Sequence, residues 1–248
     1  MSNSHTGRQS SLRHAGALEV HLLGTVEFDA LLGLQEYLTY EISGRDETSG
    51  VLLLCEHPPL ISVGREGSSA DVLTEVPTLQ RDGLDVRWVS RSGGAFPHGS
   101  GQLAVYLLVP LNRLGIGLSV YKDLLESALC ETCRELKVPV KRSADAPGLW
   151  GRGGQIAYFG ASVRSWVSQH GMFLNVTISP QLLNLTIPNS VGGQPTSIQC
   201  QRLQPVSMAQ IRECLIRQVA AKFGYELTDI STGHPLLKRT LQKVPTYA

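Results

Sequence analysis

Three groups of residues in this sequence could do chemistry. The first is the segment Arg91-Ser-Gly-Gly-Ala-Phe-Pro-His98-Gly-Ser-Gly-Gln102. Closely spaced glycines carry no Cβ, so backbone N–H groups can approach a ligand directly, although the same composition also suits a structural hairpin. The second group is the five cysteines, Cys55, Cys130, Cys133, Cys200 and Cys214. Cys130 and Cys133 form a C-x-x-C pair, but structural zinc would require a second pair or histidines at matching spacing. Both fall inside an expected helix, where i and i+3 share a face, so the pair reads as core or boundary packing. Cys55 and Cys200 are candidate nucleophiles, with simple packing as the alternative. The third group is His98 and His170, either general acid–base groups or orienting, structural histidines. These patterns predict no metal and no cofactor.

An odd number of cysteines without dense spacing argues for reduced thiols in a cytoplasmic compartment and against a secreted disulfide scaffold. The formal net charge of +1 gives no electrostatic footprint for nucleic acid or an anionic membrane, so neither is an expected partner. The basic pairs Lys141-Arg142 and Lys238-Arg239 read as solvated surface. No run approaches the ~18 apolar residues of a membrane span. The first 18 residues hold arginine, serine and histidine but no acid, which fits a plain disordered tail or an organellar transit peptide.

The elements that must position these groups are mixed. Leu18–Leu23, Val51–Cys55, Asp85–Val89, Leu103–Leu111, Ile156–Val163 and Met172–Val176 read as strands, several of them continuous apolar runs. Phe28, Leu31, Leu34, Leu38 and Ile42 recur at near-helical spacing, predicting a helix over 26–43. Ser119 is an expected cap for a second helix running to Leu136. Ser207 with Gln210 forms a capping-box pattern ahead of Ile211, Leu215, Val219 and Phe223. Strands and helices do not strictly alternate, so the expected class is α+β, with mixed or antiparallel sheets packed against helices. Length favours a single domain over residues 18–230, flanked by tails at 1–17 and 231–248.

The glycine segment lies among four other unusual ones: His57-Pro-Pro-Leu-Ile-Ser-Val-Gly-Arg65, Ala144-Asp-Ala-Pro-Gly-Leu-Trp150, Gly154-Gln-Ile-Ala-Tyr-Phe-Gly160 and His170-Gly-Met-Phe-Leu-Asn-Val176. In this order they resemble the octanoyltransferase (lipoate-protein ligase B) family, which belongs to the wider lipoate and biotin protein ligase fold. The resemblance spans residues 50–200. It implies transfer of an octanoyl group from acyl carrier protein to a lysine on a lipoyl domain, through a cysteine thioester assisted by a lysine. The implied partners are octanoyl-acyl carrier protein and the lipoyl domains of 2-oxoacid dehydrogenase or glycine cleavage proteins. Carried over by position, the substrate-binding residues are Arg91, Ser92, Gly93, Gly94, Ala95, Phe96, Pro97 and His98. Tyr158, Phe159 and Gly160 follow, then Gly171, Met172 and Phe173. An apolar slot built from such residues would suit an eight-carbon chain.

Two departures bear on activity. The family's lysine falls on Gln155, and its cysteine falls on Asn189 within Ile187-Pro-Asn-Ser-Val-Gly-Gly193. Motifs match on both sides of each position, through Ile156 to Gly160 and Thr196-Ser197-Ile198. Asparagine is not a useful nucleophile at neutral pH, and glutamine has neither a charge to lower a thiol pKa nor a basic nitrogen. The sequence therefore points first to a degenerate homologue without the usual thioester chemistry. It would retain recognition of an acyl group, acyl carrier protein or lipoyl domain, possessing binding without catalysis. A working transferase with a non-standard nucleophile is the alternative. An ATP-dependent ligase relative is disfavoured, because those enzymes also need the missing lysine.

Overall fold

A computed structural model describes residues 15–143, 145–188, 193–202, 204 and 206–237. In chain order the elements are β1 (Ala15–Thr25), α1 (Phe28–Gly44), β2 (Gly50–Glu56), β3 (Leu60–Val63), α2 (Val76–Arg81), β4 (Asp85–Trp88), β5 (Ala95–His98), β6 (Gln102–Leu108) and α3 (Leu111–Leu114). They continue as α4 (Leu118–Glu135), β7 (Lys141–Arg142), β8 (Gly148–Gly151), β9 (Gly154–Arg164), β10 (Val167–Asn175), α5 (Pro180–Leu183), α6 (Met208–Phe223) and β11 (Tyr225–Thr232).

The large sheet runs β11-β1-β2-β6-β10-β9-β8-β7. Its β1 pairs are parallel and the others antiparallel, so the sheet is mixed. Alternation of side chains along its central strands feeds two cores. Leu52, Leu54, Leu103, Val105 and Leu107 pack beneath α4 and α6 with Leu125, Leu129, Cys133, Leu215 and Phe223. Val51, Leu53, Cys55, Ala104 and Tyr106 face the other way, against Leu31, Leu34, Leu38 and Ile42 of α1. Central strands clothed on both faces must be continuously apolar, which is why β2 and β6 read so clearly. A second sheet, β4-β3-β5, encloses its own small core of Ile61, Val63, Leu79 and Ala95. The architecture is α+β, as expected.

Several local expectations are corrected. The strand expected over Leu103–Leu111 ends at Leu108, because Pro110 cannot donate to the ladder and instead occupies the N-cap of α3. Helix α4 begins at Leu118 behind Gly117, so Ser119 lies inside it. Ser207 does occupy the N-cap of α6, yet its side chain makes no capping hydrogen bond. The glycine segment holds strand β5 at Ala95–His98, paired antiparallel to β3. Edge strand β11 was not anticipated. All of its residues after Tyr225 are exposed, so it has no apolar face to announce it.

Candidate functional site

Five segments meet at one cleft of about 280 Å³: the stretch after β3 at Glu66 and Asp71, the loop leading into β5, the turn before β8, strand β9 at Gln155 and Phe159, and the chain at Ile187–Pro188. Of the residues expected at a site, Ser92, Gly93, Gly94, Phe96, Gln155 and Phe159 line it, joined by Pro147 and Pro188. Asn189 lies outside the described residues. Phe96, Phe159, Ala146 and Ile187 give the cleft an apolar character, while Glu66, Asp71 and Asp145 supply acids.

The glycine loop is held from beneath by Arg91, which is fully buried. Its Nη1 donates to the carbonyls of Ser92 (2.9 Å) and Gly94 (3.1 Å), and its Nη2 to the carbonyl and hydroxyl of Ser62 (2.7 and 2.6 Å). The guanidinium carbon also sits 3.7 Å above the Phe96 ring. Burial pulls the Arg91 pKa down to about 9, which still leaves it a cation at neutral pH. Arg91 therefore shapes the loop rather than lining the cleft. Gly160 permits the close fit, since a Cβ there would lie 2.7 Å from the Ser92 carbonyl oxygen and 2.9 Å from Arg91 Cδ.

Behind the loop a chain of hydrogen bonds crosses the core. The Ser62 hydroxyl accepts from Arg91 and donates to His98 Nε2 (2.6 Å). His98 Nδ1–H donates to Gln102 Oε1 (2.8 Å), and Gln102 Nε2 donates to Asn175 Oδ1 (2.9 Å). Asn175 Nδ2 then reaches the carbonyl of Thr196 (3.0 Å), whose N–H pairs with the Gln155 carbonyl. Both nitrogens of His98 are engaged, and burial holds its pKa well below the usual range. His98 is thus a neutral structural link between two cleft walls.

His170 is buried, does not line the cleft, and is held neutral by burial, with its pKa pulled to about 3. His57 is similar: Nδ1–H donates to the Val26 carbonyl, Tyr106 donates to Nε2, and burial lowers its pKa to about 4. Ala95, Pro97, Tyr158, Gly160, Gly171, Met172 and Phe173 do not line the cleft either. Tyr158 stacks on Phe96 at 4.9 Å, and Phe173 packs edge-on to the same ring, so they back the wall from inside.

The opposite wall is fixed by a buried carboxylate. Glu126 Oε1 accepts the Gly148 N–H (2.7 Å) and Oε2 accepts Arg142 Nε (3.0 Å). Gly148 has φ +115°, and a Cβ on it would collide with the Ala157 carbonyl, so only glycine fits this turn. The neighbouring Pro147 carbonyl accepts a hydrogen bond from Gln155 Nε2 (2.9 Å). Sequence reasoning missed Glu126. Its signal was present, because an acid sits on the same stripe as Leu129 and Cys133, at i+3 and i+7.

No cysteine, lysine or histidine is among the described residues lining the cleft. Cys55 is buried and its thiol pKa is driven upward by burial, while that of Cys133 rises to about 12. Cys200 is exposed and bonded to Ser197. Among the described residues no cluster of His, Cys, Asp and Glu could hold a metal ion, and no helix is long and apolar enough to cross a membrane.

Residues 29–220 match the lipoyl protein ligase A/B catalytic domain. An octanoyltransferase from Geobacter metallireducens is 34% identical over 208 residues, covering 84% of this chain and 92% of that protein. The octanoyltransferase of Geotalea uraniireducens is 31% identical, covering 81% and 89%. Among solved structures, lipoate-protein ligase A bound with ATP superposes with a TM-score of 0.68 at 14% identity, covering 90% of each chain. That likeness concerns the fold.

Proposed function

This chain belongs to the octanoyltransferase family of lipoyl protein ligase A/B catalytic domains, and from that premise we propose that it keeps the family's acyl-recognition cleft without its thioester chemistry. The name of its relatives, octanoyltransferase, supports octanoyl transfer as the reaction to which the cleft is related. Its proposed ligands are an octanoyl chain, carried on acyl carrier protein, and a lipoyl-domain lysine. The carrying observation is the position of Gln155: it lines the cleft, where the family resemblance puts a lysine, and its amide is hydrogen-bonded to the Pro147 carbonyl. An amide there supplies neither a cation to stabilise a thiolate nor a base to accept a proton.

The assignment of the family's cysteine to Asn189 is the second half of the proposal, and it rests on the motif flanks. A substitute nucleophile finds little support. Ser92 Oγ accepts the Ala161 N–H at 3.1 Å and has no histidine or lysine beside it among the residues lining the cleft. An ATP-dependent ligase reading is disfavoured by the same residue, Gln155. Phe96, Phe159 and Ile187 give the cleft the apolar wall that an acyl chain would need, although Phe96 is itself a departure from the family's loop.

The test has two arms. Purified protein is incubated with octanoyl-acyl carrier protein and apo-lipoyl domain, and intact mass follows the acceptor. Octanoyl-acyl carrier protein binding is measured separately by titration calorimetry against the unacylated carrier. The proposal expects binding that depends on the acyl group and no octanoylation above the enzyme-free control. Octanoylation of the acceptor lysine would show a working transferase, and acyl-independent or absent binding would remove the recognition role.

A further inference from the structure

The lining of the cleft divides by depth. Glu66, Asp145, Pro147 and Ile187 are exposed and form its rim, whereas Phe96, Ala146, Gln155 and Phe159 are buried and lie at its inner end. Two of these inner residues are large and apolar. Phe159 belongs to the core beneath α4 and α6, where its ring lies 6.4 Å from that of Tyr121. Phe96 belongs to the opposite core and keeps only 3% of its surface, so its ring is the one that backs the cleft.

The tip of that ring presses on the glycine loop. A Cβ on Gly93 would lie 2.6 Å from Phe96 Cζ, and one on Gly160 would lie 3.1 Å from Phe96 Cε2. Gly93, at φ +80°, itself lines the cleft, so the ring tip stands at the cleft wall. The rest of the ring has nowhere to turn. Arg91 sits over it at 3.7 Å, Tyr158 stacks on it at 4.9 Å, and Phe173 packs edge-on at 5.9 Å. Tyr158 and Phe173 are themselves fully buried. An interior packed in this way does not admit an extra methylene without strain. The ring is a fixed wall, not a gate that swings.

We propose that the Phe96 ring closes the inner end of the cleft and sets the longest acyl chain it takes, excluding chains longer than octanoyl. This rests on the acyl-recognition reading and adds a length limit to it; it does not depend on Asn189 or on any catalysis. The cleft's volume of about 280 Å³ lies at the small end of ligand sites, which run from about 300 to 1,000 Å³. A methylene that finds apolar contact tightens binding about fourfold. One that meets the ring must stay in water or displace packed side chains.

Acyl carrier protein bearing hexanoyl, octanoyl, decanoyl or dodecanoyl chains is titrated calorimetrically against the wild type, Phe96→Ala and Phe96→Leu, with the unacylated carrier as reference. On the wild type, affinity rises up to octanoyl and at dodecanoyl falls at least about tenfold below it. Phe96→Ala removes the stop, so dodecanoyl binds at least as tightly as octanoyl. Phe96→Leu preserves most of the core packing and moves the limit to decanoyl, which keeps the test in hand if Phe96→Ala does not fold. Melting temperatures report the folded state of both variants. Hexanoyl binding changes little in either, whereas a general loss of structure would weaken every chain alike. A wild type that takes dodecanoyl as well as octanoyl, or a folded Phe96→Leu variant with the wild-type limit, would overturn the stop and leave acyl recognition standing. Absence of acyl-dependent binding with every chain would instead refute the acyl reading, and the stop with it.

Discussion

The two walls of the cleft are secured by opposite charges. On one side the Arg91 cation is fully buried and grips carbonyls of the glycine loop and of Ser62, with no carboxylate bonded to it among the described residues. On the other the Glu126 carboxylate is buried and grips the Gly148 N–H, with Arg142 as its partner. Both devices fix backbone rather than touch a substrate. Between them Gln155 lines the cleft, hydrogen-bonded to the Pro147 carbonyl. Under the proposed function, the supports of the cleft and its chemistry are separable, so a cleft can keep its shape without the reaction.

The comparison predicts unequal consequences when each support is removed. Arg91→Ala loses four hydrogen bonds and the packing against Phe96, so we expect a loss of about 4 kcal/mol or more in urea unfolding. Next comes acid. His57 and His170 have pKa values lowered by burial to about 4 and about 3, whereas an unfolded chain would titrate near 6.5. The unfolded state thus binds protons first. Stability from their neutral forms is full above about pH 6.5, falls as pH drops, and is gone below the folded pKa values. For His57 alone the loss is on the order of 3 kcal/mol between pH 6.5 and 4. His57→Gln should flatten that part of the stability profile. A slope unchanged by the substitution would mean that His57 does not carry it.

Glu126→Ala comes third, at about 2 kcal/mol, because the Gly148 N–H loses its acceptor and Arg142 keeps Asp123 as an alternative partner. Its diagnostic readout is local. Amide exchange should quicken in the 145–148 turn while the Arg91 loop stays protected. Equal loosening of both walls would contradict their separate support. Gln155→Lys is smallest in stability, within about 1 kcal/mol, since a lysine can still donate to the Pro147 carbonyl but must leave its charge partly buried.

How much of this was legible in the sequence depends on what each residue faces. Strands β2 and β6 were readable because both faces are buried and their runs are unbroken. Strand β11 was not, since its alternation has nothing to alternate against. Helix α6 was found by its apolar stripe, yet the polar cap pattern at Ser207 promised a bond that is not formed. Of the glycine motif, Ser92, Gly93 and Gly94 line the cleft. It also suggested that Arg91 and His98 meet a ligand, whereas both are spent on the interior. Motif membership records that a residue is needed; only three-dimensional packing distinguishes a group that touches substrate from one that supports the loop. Glu126 was hidden for the converse reason, lying outside every motif while holding the turn within one.

The central claim is that the cleft survives and the thioester chemistry does not, and one measurement addresses it most directly. Wild-type protein, Asn189→Cys, Gln155→Lys and the double variant are each mixed with octanoyl-acyl carrier protein and followed by intact mass. A lone cysteine would keep a pKa of about 8.5 and little thiolate at neutral pH, whereas an adjacent lysine favours the thiolate. We expect no adduct on the wild type or on Gln155→Lys, slow labelling of Asn189→Cys, and an octanoyl adduct on the double variant. It should form faster than the product of the single effects, because catalytic groups that act as a unit are not additive. An adduct on the wild type, or a folded double variant that takes up no octanoyl group, would contradict the account.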